Sequence, residues 1–392
     1  MATPDLHAEH VAVWFEHILH LADHIGPRGS TTEAEQQASD YCAAVYRGLG
    51  YTPAVESFTS AVSIYHPHLL AAGAIFIAWT LYPLAPLFSG GLALIAFASD
   101  LLELGFMPNP LRWIVPKGRS QNVIATLPPL GEHRQDLILI GHVDSHRTPI
   151  IFRSRRWLDA YKAFTTLAAV IFAVTIVLFF VGAVTGWPWV WPVTGAGAIC
   201  ALLLVALCVQ ADLTPFSHGA NDNATAAGLV LTLAGHLLIE PLRHTRVWFV
   251  NTGCEEVQHY GAIDFFRRHR ADLVSPRALV FEMLGCAGPA WLVQEGIVIP
   301  FRASPDLIAL AQRLADRHPE WRAHPATLNG GNTEMADALR AGVPAITFIG
   351  ADEHNNAPYW HQSIDTVDKM DADVMKRAYA MTWAFIRALD EG

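Results

Sequence analysis

Leu137-Ile138-Leu139-Ile140-Gly141-His142-Val143-Asp144 is the stretch from which the fold can be read. Its apolar part is short and ends at a glycine, which suits a buried strand better than a helix. A strand alternates faces with a period of two, so His142 and Asp144 are expected on one side. Further β-rich runs occur at Asn122–Leu127, Arg246–Asn251, Ala278–Phe281 and Ala345–Ile349. Helical stretches lie between them at about 223–239, 260–271, 304–317 and 334–341. Strands alternating with helices predict an α/β fold, with a mostly parallel mixed sheet sandwiched by helices. Nearer the N-terminus, residues 5–25 have helical periodicity. A second helix is expected after Ser30-Thr31-Thr32-Glu33, a capping-box pattern, and should end at Gly48-Leu49-Gly50.

Two apolar regions interrupt this pattern. From Ala163 to Ala211 there is no Asp, Glu, Lys or Arg. One membrane-spanning helix needs about 20 residues, so the run is long enough for two. Its middle, Gly186-Trp187-Pro188-Trp189-Val190-Trp191-Pro192, combines helix-breaking prolines with tryptophans that favour the membrane–water boundary. Helices are therefore expected at about 163–185 and 191–210. The region Leu69–Ser99 also lacks those four residue types and is broken by Pro83, Pro86 and Ser89-Gly90-Gly91. It predicts helices at about 66–87 and 90–107. Asp100 and Glu103 are costly at mid-bilayer and should lie near an interface or face protein. A re-entrant or interfacial helix is the rival for 90–107.

Composition supports this division. Only 16% of the 392 residues are charged while 52% are hydrophobic, which excludes a disordered chain and predicts a folded protein partly in lipid. The formal charge of −10 argues against nucleic acid as a partner. The 5 cysteines are odd in number and show no paired spacing, so neither a disulfide framework nor a zinc ribbon is implied. MATPDLHAEH lacks the basic and apolar segments of a cleavable signal peptide.

Several polar motifs sit at the ends of the apolar runs, where open α/β sheets place ligand sites. In His142-Val143-Asp144 an imidazole could bind metal while the carboxylate fixes the ring or a neighbour; a polar strand end is the plain alternative. Gly219-Ala220-Asn221-Asp222-Asn223-Ala224-Thr225 offers a carboxylate at a helix start, which by itself is often an N-cap. Cys254-Glu255-Glu256 follows a buried strand. Adjacent glutamates repel one another, and a cation would relieve this; a solvated acid pair at a turn is the alternative. Consecutive residues point in different directions, so one can bind metal while the other handles protons. Glu282 and His361 are uninformative taken singly. With 19 histidines, most are bystanders, among them His146, His218, His259 and His354.

Taken together and in order, GHVDSH, GANDNATAAG, TGCEE, FEMLG and WHQSIDT resemble the metal-site motifs of peptidase family twenty-eight, the di-zinc aminopeptidases of the aminopeptidase Y type. Gly26-Pro27-Arg28-Gly29-Ser30 and Ala341-Gly342-Val343-Pro344-Ala345 are similar to further segments of that family. The resemblance covers nearly everything except the apolar regions. It implies that Asp222 bridges two zinc ions, or another divalent metal in their place. By the same carry-over His142 and Glu282 complete the first site, Glu256 and His361 the second. Glu255 is then the general base and Asp144 a support behind the ligands. Glu282 stands where the family commonly has aspartate, and Gly331-Asn332-Thr333-Glu334 lacks the Ser-Asp pairing frequent there.

The expected protein is thus a membrane-embedded metallopeptidase, an aminopeptidase cleaving N-terminal peptide bonds with metal-activated water. Residues 1–65, 108–162 and 211–392 form its discontinuous catalytic part, and 66–107 and 163–210 are inserted transmembrane hairpins. Since His142 and Asp222 flank the second insertion and must meet, an even number of crossings is required, and the site is expected to face the bilayer. Arg112, Lys117, Arg119, Arg153, Arg155, Arg156 and Lys162 flank the hairpins whereas the turns lack Lys and Arg, which predicts a multi-pass inner or plasma membrane protein with a cytoplasmic catalytic domain. The partners are a peptide substrate and the lipid bilayer, and the apolar hairpins offer a surface for homo-oligomers. The rivals are a carboxypeptidase-like or other amide hydrolase, with Arg302 or Arg340 for a substrate carboxylate, a one-zinc glutaminyl-cyclase-like enzyme, an inactive membrane scaffold, and a transporter.

Overall fold

The computed structural model describes residues 6–391, so Asp5, at the edge of the first expected helix, lies outside them. The chain divides into two compact units, one made of Met1–Ser60, Gly118–His146 and Phe216–Gly392, the other of Ala61–Lys117 and Arg147–Pro215.

The first unit holds most of a nine-stranded sheet. Its strands are β1 (Ala54–Ala61), β2 (Lys117–Leu127), β3 (Gln135–His142), β4 (Thr245–Thr252), β5 (Arg277–Glu282), β6 (Ala290–Gly296), β7 (Phe301–Arg302), β8 (His324–Asn329) and β9 (Ala345–Ile349). The order is β1-β2-β4-β3-β5-β9-β6-β7, with β8 beside β6. The centre, β4-β3-β5-β9, is parallel, while β2 and β6 flank it antiparallel. Each central strand is buried on both faces, as its uninterrupted apolar run requires. All five expected strands are present; β1 and β6–β8 are additional. The expected helices run Thr225–Ile239, Tyr260–His269, Pro305–Arg317 and Met335–Arg340, and a long helix, Ala372–Glu391, closes the chain. The helix Leu6–Leu19 continues as a wider turn over His20–Ile25.

Local signals act here with one shift. The helix Glu33–Gly48 is capped by Thr32, whose hydroxyl accepts from Glu35 N, while Glu35 in turn accepts from Thr31 N at 2.7 Å. Thr32 thus takes the cap position, and the return bond from Glu35 goes to the preceding residue, Thr31, rather than to Thr32 itself. The expected cap residue, Ser30, instead donates to Asp144 Oδ2 at 2.6 Å.

The second unit consists chiefly of the helices Tyr65–Leu81, Pro86–Leu104, Arg155–Thr185 and Gly195–Asp212, with short turns of helix at Leu111–Ile114 and Val190–Val193. Its buried faces are built largely from small residues: Ala71, Ala72 and Ala78, Gly90, Ala93 and Ala96, Gly182, and Gly197, Ala198 and Ala201. Large aliphatic side chains such as Ile95, Val170, Val177, Val184 and Ile199 point outward and are exposed. The helix Arg155–Thr185 also buries Phe172, Ile176 and Phe179, and the large apolar residues on the outside are unlike the surface of a water-soluble bundle. Several of the unit's charged residues are paired within the protein. Asp100 accepts from His68 at 2.7 Å, Arg112 donates to Glu103 at 2.9 Å, and His66 meets Asp212 at 3.2 Å.

Among the described residues, four helical stretches are long and apolar enough to cross a membrane: Pro86–Leu104, Arg155–Thr185, Val190–Asp212 and Ala220–Ile239. The last is 83% buried against 33% for each of the others, and it packs on the central sheet as a core helix. The helix Tyr65–Leu81 is apolar but has 17 residues. The ends of each insertion meet: Val62 N donates to Pro116 O at 3.2 Å, Thr148 N to Pro215 O at 3.0 Å, and Ser217 N to His146 O at 2.8 Å.

Candidate metal centre

The parallel strands deliver their polar residues at their carboxyl ends. β3 ends at His142, β5 at Glu282, and β4 runs into Gly253-Cys254-Glu255-Glu256. Asp222 comes from the turn preceding the helix Thr225–Ile239, and His361 from the long loop after β9. All five expected ligands and Glu255 belong to one cluster. His142 Nε2 lies 3.5 Å from Glu282 Oε1 and 3.7 Å from both Asp222 Oδ1 and Glu255 Oε2. His361 Nε2 lies 3.1 Å from Glu256 Oε2 and 3.4 Å from Asp222 Oδ2. Asp222 therefore offers one oxygen to each histidine. The two glutamates diverge as expected, Glu255 toward His142 and Glu256 toward His361.

The surroundings of this cluster hold its backbone in place. Asp144 accepts from Glu255 N and Glu256 N at 3.1 Å each, and its own carbonyl is 3.1 Å from His142 Nδ1. Fixing Nδ1 leaves Nε2 directed at the carboxylates. Asp365 accepts from Asn221 N at 2.7 Å and Asp222 N at 3.0 Å. Asn223, joined to Asp222 by a cis peptide, donates to Phe281 O and accepts from Met283 N, tying the turn to the end of β5. Arg28 is fully buried and donates to the carbonyls of Leu21, Gly26, Val143, His218 and Gly219. One guanidinium thus joins the N-terminal segment to the loops carrying Asp144 and Asp222. Burial pushes its pKa down to about 10, which leaves it charged at neutral pH.

The electrostatics suit a divalent cation. Burial, then the neighbouring Glu282, raises the Asp222 carboxyl well above the usual range. Burial, then Asp222, does the same to Glu256. Carboxylates so crowded resist being charged together unless positive charge joins them. His142 Nε2 and Glu256 Oε1 are buried and make no hydrogen bond, in a setting where polar atoms are nearly always paired. Donor atoms lie within 4.8 Å of one another in each of three groups: His142, Asp222 and Glu282; His142, Glu255 and Glu256; and His146, Glu256 and His361. Imidazole nitrogen with carboxylate oxygen is a donor set that zinc favours, so the residues present fit that metal.

His146 and His259, expected to be bystanders, both adjoin the cluster. The His146 ring stacks on His361 with centroids 3.6 Å apart and planes at 11°. Parallel rings aim their lone pairs along parallel planes, so His146 as placed braces the His361 ring. His259 contacts Glu255. Arg302 and Arg340 are engaged elsewhere: Arg302 donates to Gln294 at 3.2 Å, and Arg340 lies over the Phe301 ring. Arg28 and Asp365 fall within quoted motifs, yet nothing in their spacing discloses these contacts.

Residues 204–386 match the model of peptidase family M28. That span contains Asp222, Glu255, Glu256, Glu282 and His361, and it begins after His142 and Asp144. Among solved structures, the chain is similar to glutaminyl cyclase from Fimbriiglobus ruber, with 16% identity and a TM-score of 0.56 over 96% of this chain and 94% of that one. It is similar to a leucine aminopeptidase precursor from Bacteroides thetaiotaomicron, with 12% identity and a TM-score of 0.58 over 96% of each chain. It is also similar to BSAP, a zinc aminopeptidase from Bacillus subtilis, with 13% identity and a TM-score of 0.56 over 97% of this chain and 95% of that one. At these identities the likeness is one of fold. No curated protein sequence matches the chain.

Proposed function

We propose that the protein is a membrane-anchored metallopeptidase of the aminopeptidase kind, with two divalent cations held by His142, Asp222 and Glu282 and by Asp222, Glu256 and His361. The observation that carries this reading is the convergence of these side chains around Asp222, with buried donor atoms that no protein group satisfies. Cations bound there would supply Lewis acidity to a peptide carbonyl and lower the pKa of water. The protein's own part is positioning and proton transfer. Glu255 Oε2 faces the cluster and would take a proton from the attacking water, then return it to the leaving amine. Asp144 holds the Glu255 and Glu256 amides so that both carboxylates keep their directions. Crowded carboxylates would also attract the free ammonium group of a peptide N-terminus, which supports exopeptidase action.

The test uses full-length protein in detergent, with metal analysis and leucine p-nitroanilide as probe. Wild type is expected to bind two metal ions per chain and to lose activity on chelation. Glu255→Gln should keep the metal and lose about 10²–10⁴-fold in kcat. Turnover by that variant within a few fold of wild type would remove Glu255 from the proposed role.

The likeness to glutaminyl cyclases supports a second reading on the same scaffold, a cyclase using one metal. Measuring ammonia release from a peptide with N-terminal glutamine, beside metal stoichiometry, separates the two. In either case the apolar unit is read as two hairpins crossing the membrane, with basic flanks on the cytoplasmic side. Because the second insertion leaves and rejoins the chain beside candidate ligand segments, peptides presented close to the bilayer are the proposed substrates.

A further inference from the structure

His259 sits where the chain turns from β4 into the helix Tyr260–His269. It is fully enclosed, its backbone is left-handed at φ 55°, and its N–H donates to Glu255 O at 2.8 Å. Its neighbour Gln258 is also left-handed, at φ 86°. Non-glycine residues adopt that region at a cost, so the turn is set by the surrounding structure and places the ring firmly. The ring lies between two buried carboxylates. Nδ1 is 2.6 Å from Asp337 Oδ2, and Nε2 is 3.1 Å from Glu255 Oε1. The other Glu255 oxygen, Oε2, is the one facing His142.

We infer that His259, braced by Asp337, is a positioning residue that holds Glu255 Oε1 so that Oε2 is presented to the metal-ligand cluster. The inference rests on the reading of Glu255 as general base. A glutamate side chain has several rotatable bonds, and in a cluster of acids it would turn away from its neighbours unless one oxygen were tied. An imidazole with both nitrogens used by carboxylates supplies that tie in a fixed plane, since Asp337 prevents the ring from flipping. The charge distribution agrees. Burial opposes a charged His259, but Glu255 and Asp337 overcome it and hold the ring well above the usual histidine range. A misplacement of roughly 1 Å in a reacting group costs about 10²-fold in rate, so the tie matters for turnover more than for binding.

Full-length His259→Ala, His259→Gln and Asp337→Ala proteins in detergent test this with leucine p-nitroanilide, metal analysis and crystal structures. His259→Ala is expected to lower kcat about 10²-fold with KM within about twofold and metal content unchanged. His259→Gln keeps a donor near Nε2 and should recover about tenfold of that loss, while Asp337→Ala should fall between wild type and His259→Ala. In the crystal, Glu255 should leave its position in His259→Ala and retain it in His259→Gln. Unchanged kcat in His259→Ala, loss of metal in that variant, or an unmoved Glu255 each overturns the inference. If wild type fails to cleave the anilide while Glu255 still moves in His259→Ala, the peptidase reading fails and the positioning role stands.

Discussion

Arg28 shows how much a single side chain decides at the site. Its guanidinium ends five-fold in carbonyl oxygens from three separate segments, the most distant contact being 191 residues away along the chain. Removing it strands those carbonyls in a dry interior, where each unmade hydrogen bond is costly. Arg28→Met should therefore destabilise the protein by on the order of 3 kcal/mol or more and weaken metal retention. Arg28→Lys should rescue little, because an ammonium cannot reproduce the planar fork. Thermal unfolding in detergent with metal analysis checks both; a midpoint unchanged in Arg28→Met would refute the account. At this scale the candidates were legible unevenly: His142, Glu255 and Glu256 stand at or just after strand ends, whereas Glu282 and His361 carry no signal singly and stood out only through the resemblance of the ordered motifs. The bracing roles of His146 and His259 were not legible, since one histidine among 19 carries no local signal.

The elements are held by pairings that the local pattern describes unevenly. At the amino end of the central sheet, opposite the ligand ends, Asp136 accepts from Arg246 Nε at 2.6 Å and Nη2 at 2.9 Å, from Val274 N at 2.6 Å and from Trp248 Nε1 at 3.1 Å. Burial would raise this carboxyl, but Arg246 and the other donors outweigh it and hold it below its ordinary value. A depressed folded pKa means the contribution is present above the unfolded value of about 3.9 and lost as pH falls through the folded value. Asp136→Asn should lower stability at neutral pH by on the order of 2 kcal/mol, allowing for the partial exposure of Arg246. Its unfolding midpoint should also fall less steeply than wild type between about pH 5 and 2. Parallel midpoint curves for the two proteins would count against this linkage. The central strands were legible from their apolar runs, whereas β7 has two residues and β8 contains Pro325, so both exist through pairing rather than propensity. The C-terminal helix is a missed signal, for Val374, Met375, Ala378, Met381, Phe385, Ile386 and Leu389 recur on one buried face.

At the scale of the molecule, the paired ends of each insertion determine what a membrane topology must satisfy. A segment that leaves and returns at one place can cross the bilayer only an even number of times. Single cysteines introduced as Trp189→Cys in a turn and Ser154→Cys in a basic flank, in a cysteine-free background, test this in intact cells. The impermeant maleimide is expected to label Trp189→Cys from outside and Ser154→Cys only after permeabilisation. Equal labelling from one side would argue against spanning hairpins. Composition alone does not distinguish these helices from Ala220–Ile239, which is apolar all round because it lies between the sheet and the outer helices.

By itself, the sequence determined the alternation of strands and helices, the two apolar insertions and the kinds of donor atom available at the strand ends. Those properties depend on neighbours a few positions away, through side-chain period, turn chemistry and runs of uncharged residues. Only the tertiary structure decided which carboxylate faces which imidazole, that Arg28 and Asp365 hold the ligand loops, and that His259 lies between Glu255 and an aspartate 78 residues further along the chain. Such contacts join residues whose separation in sequence carries no periodic signature, and they exist only once the sheet has brought its carboxyl ends together.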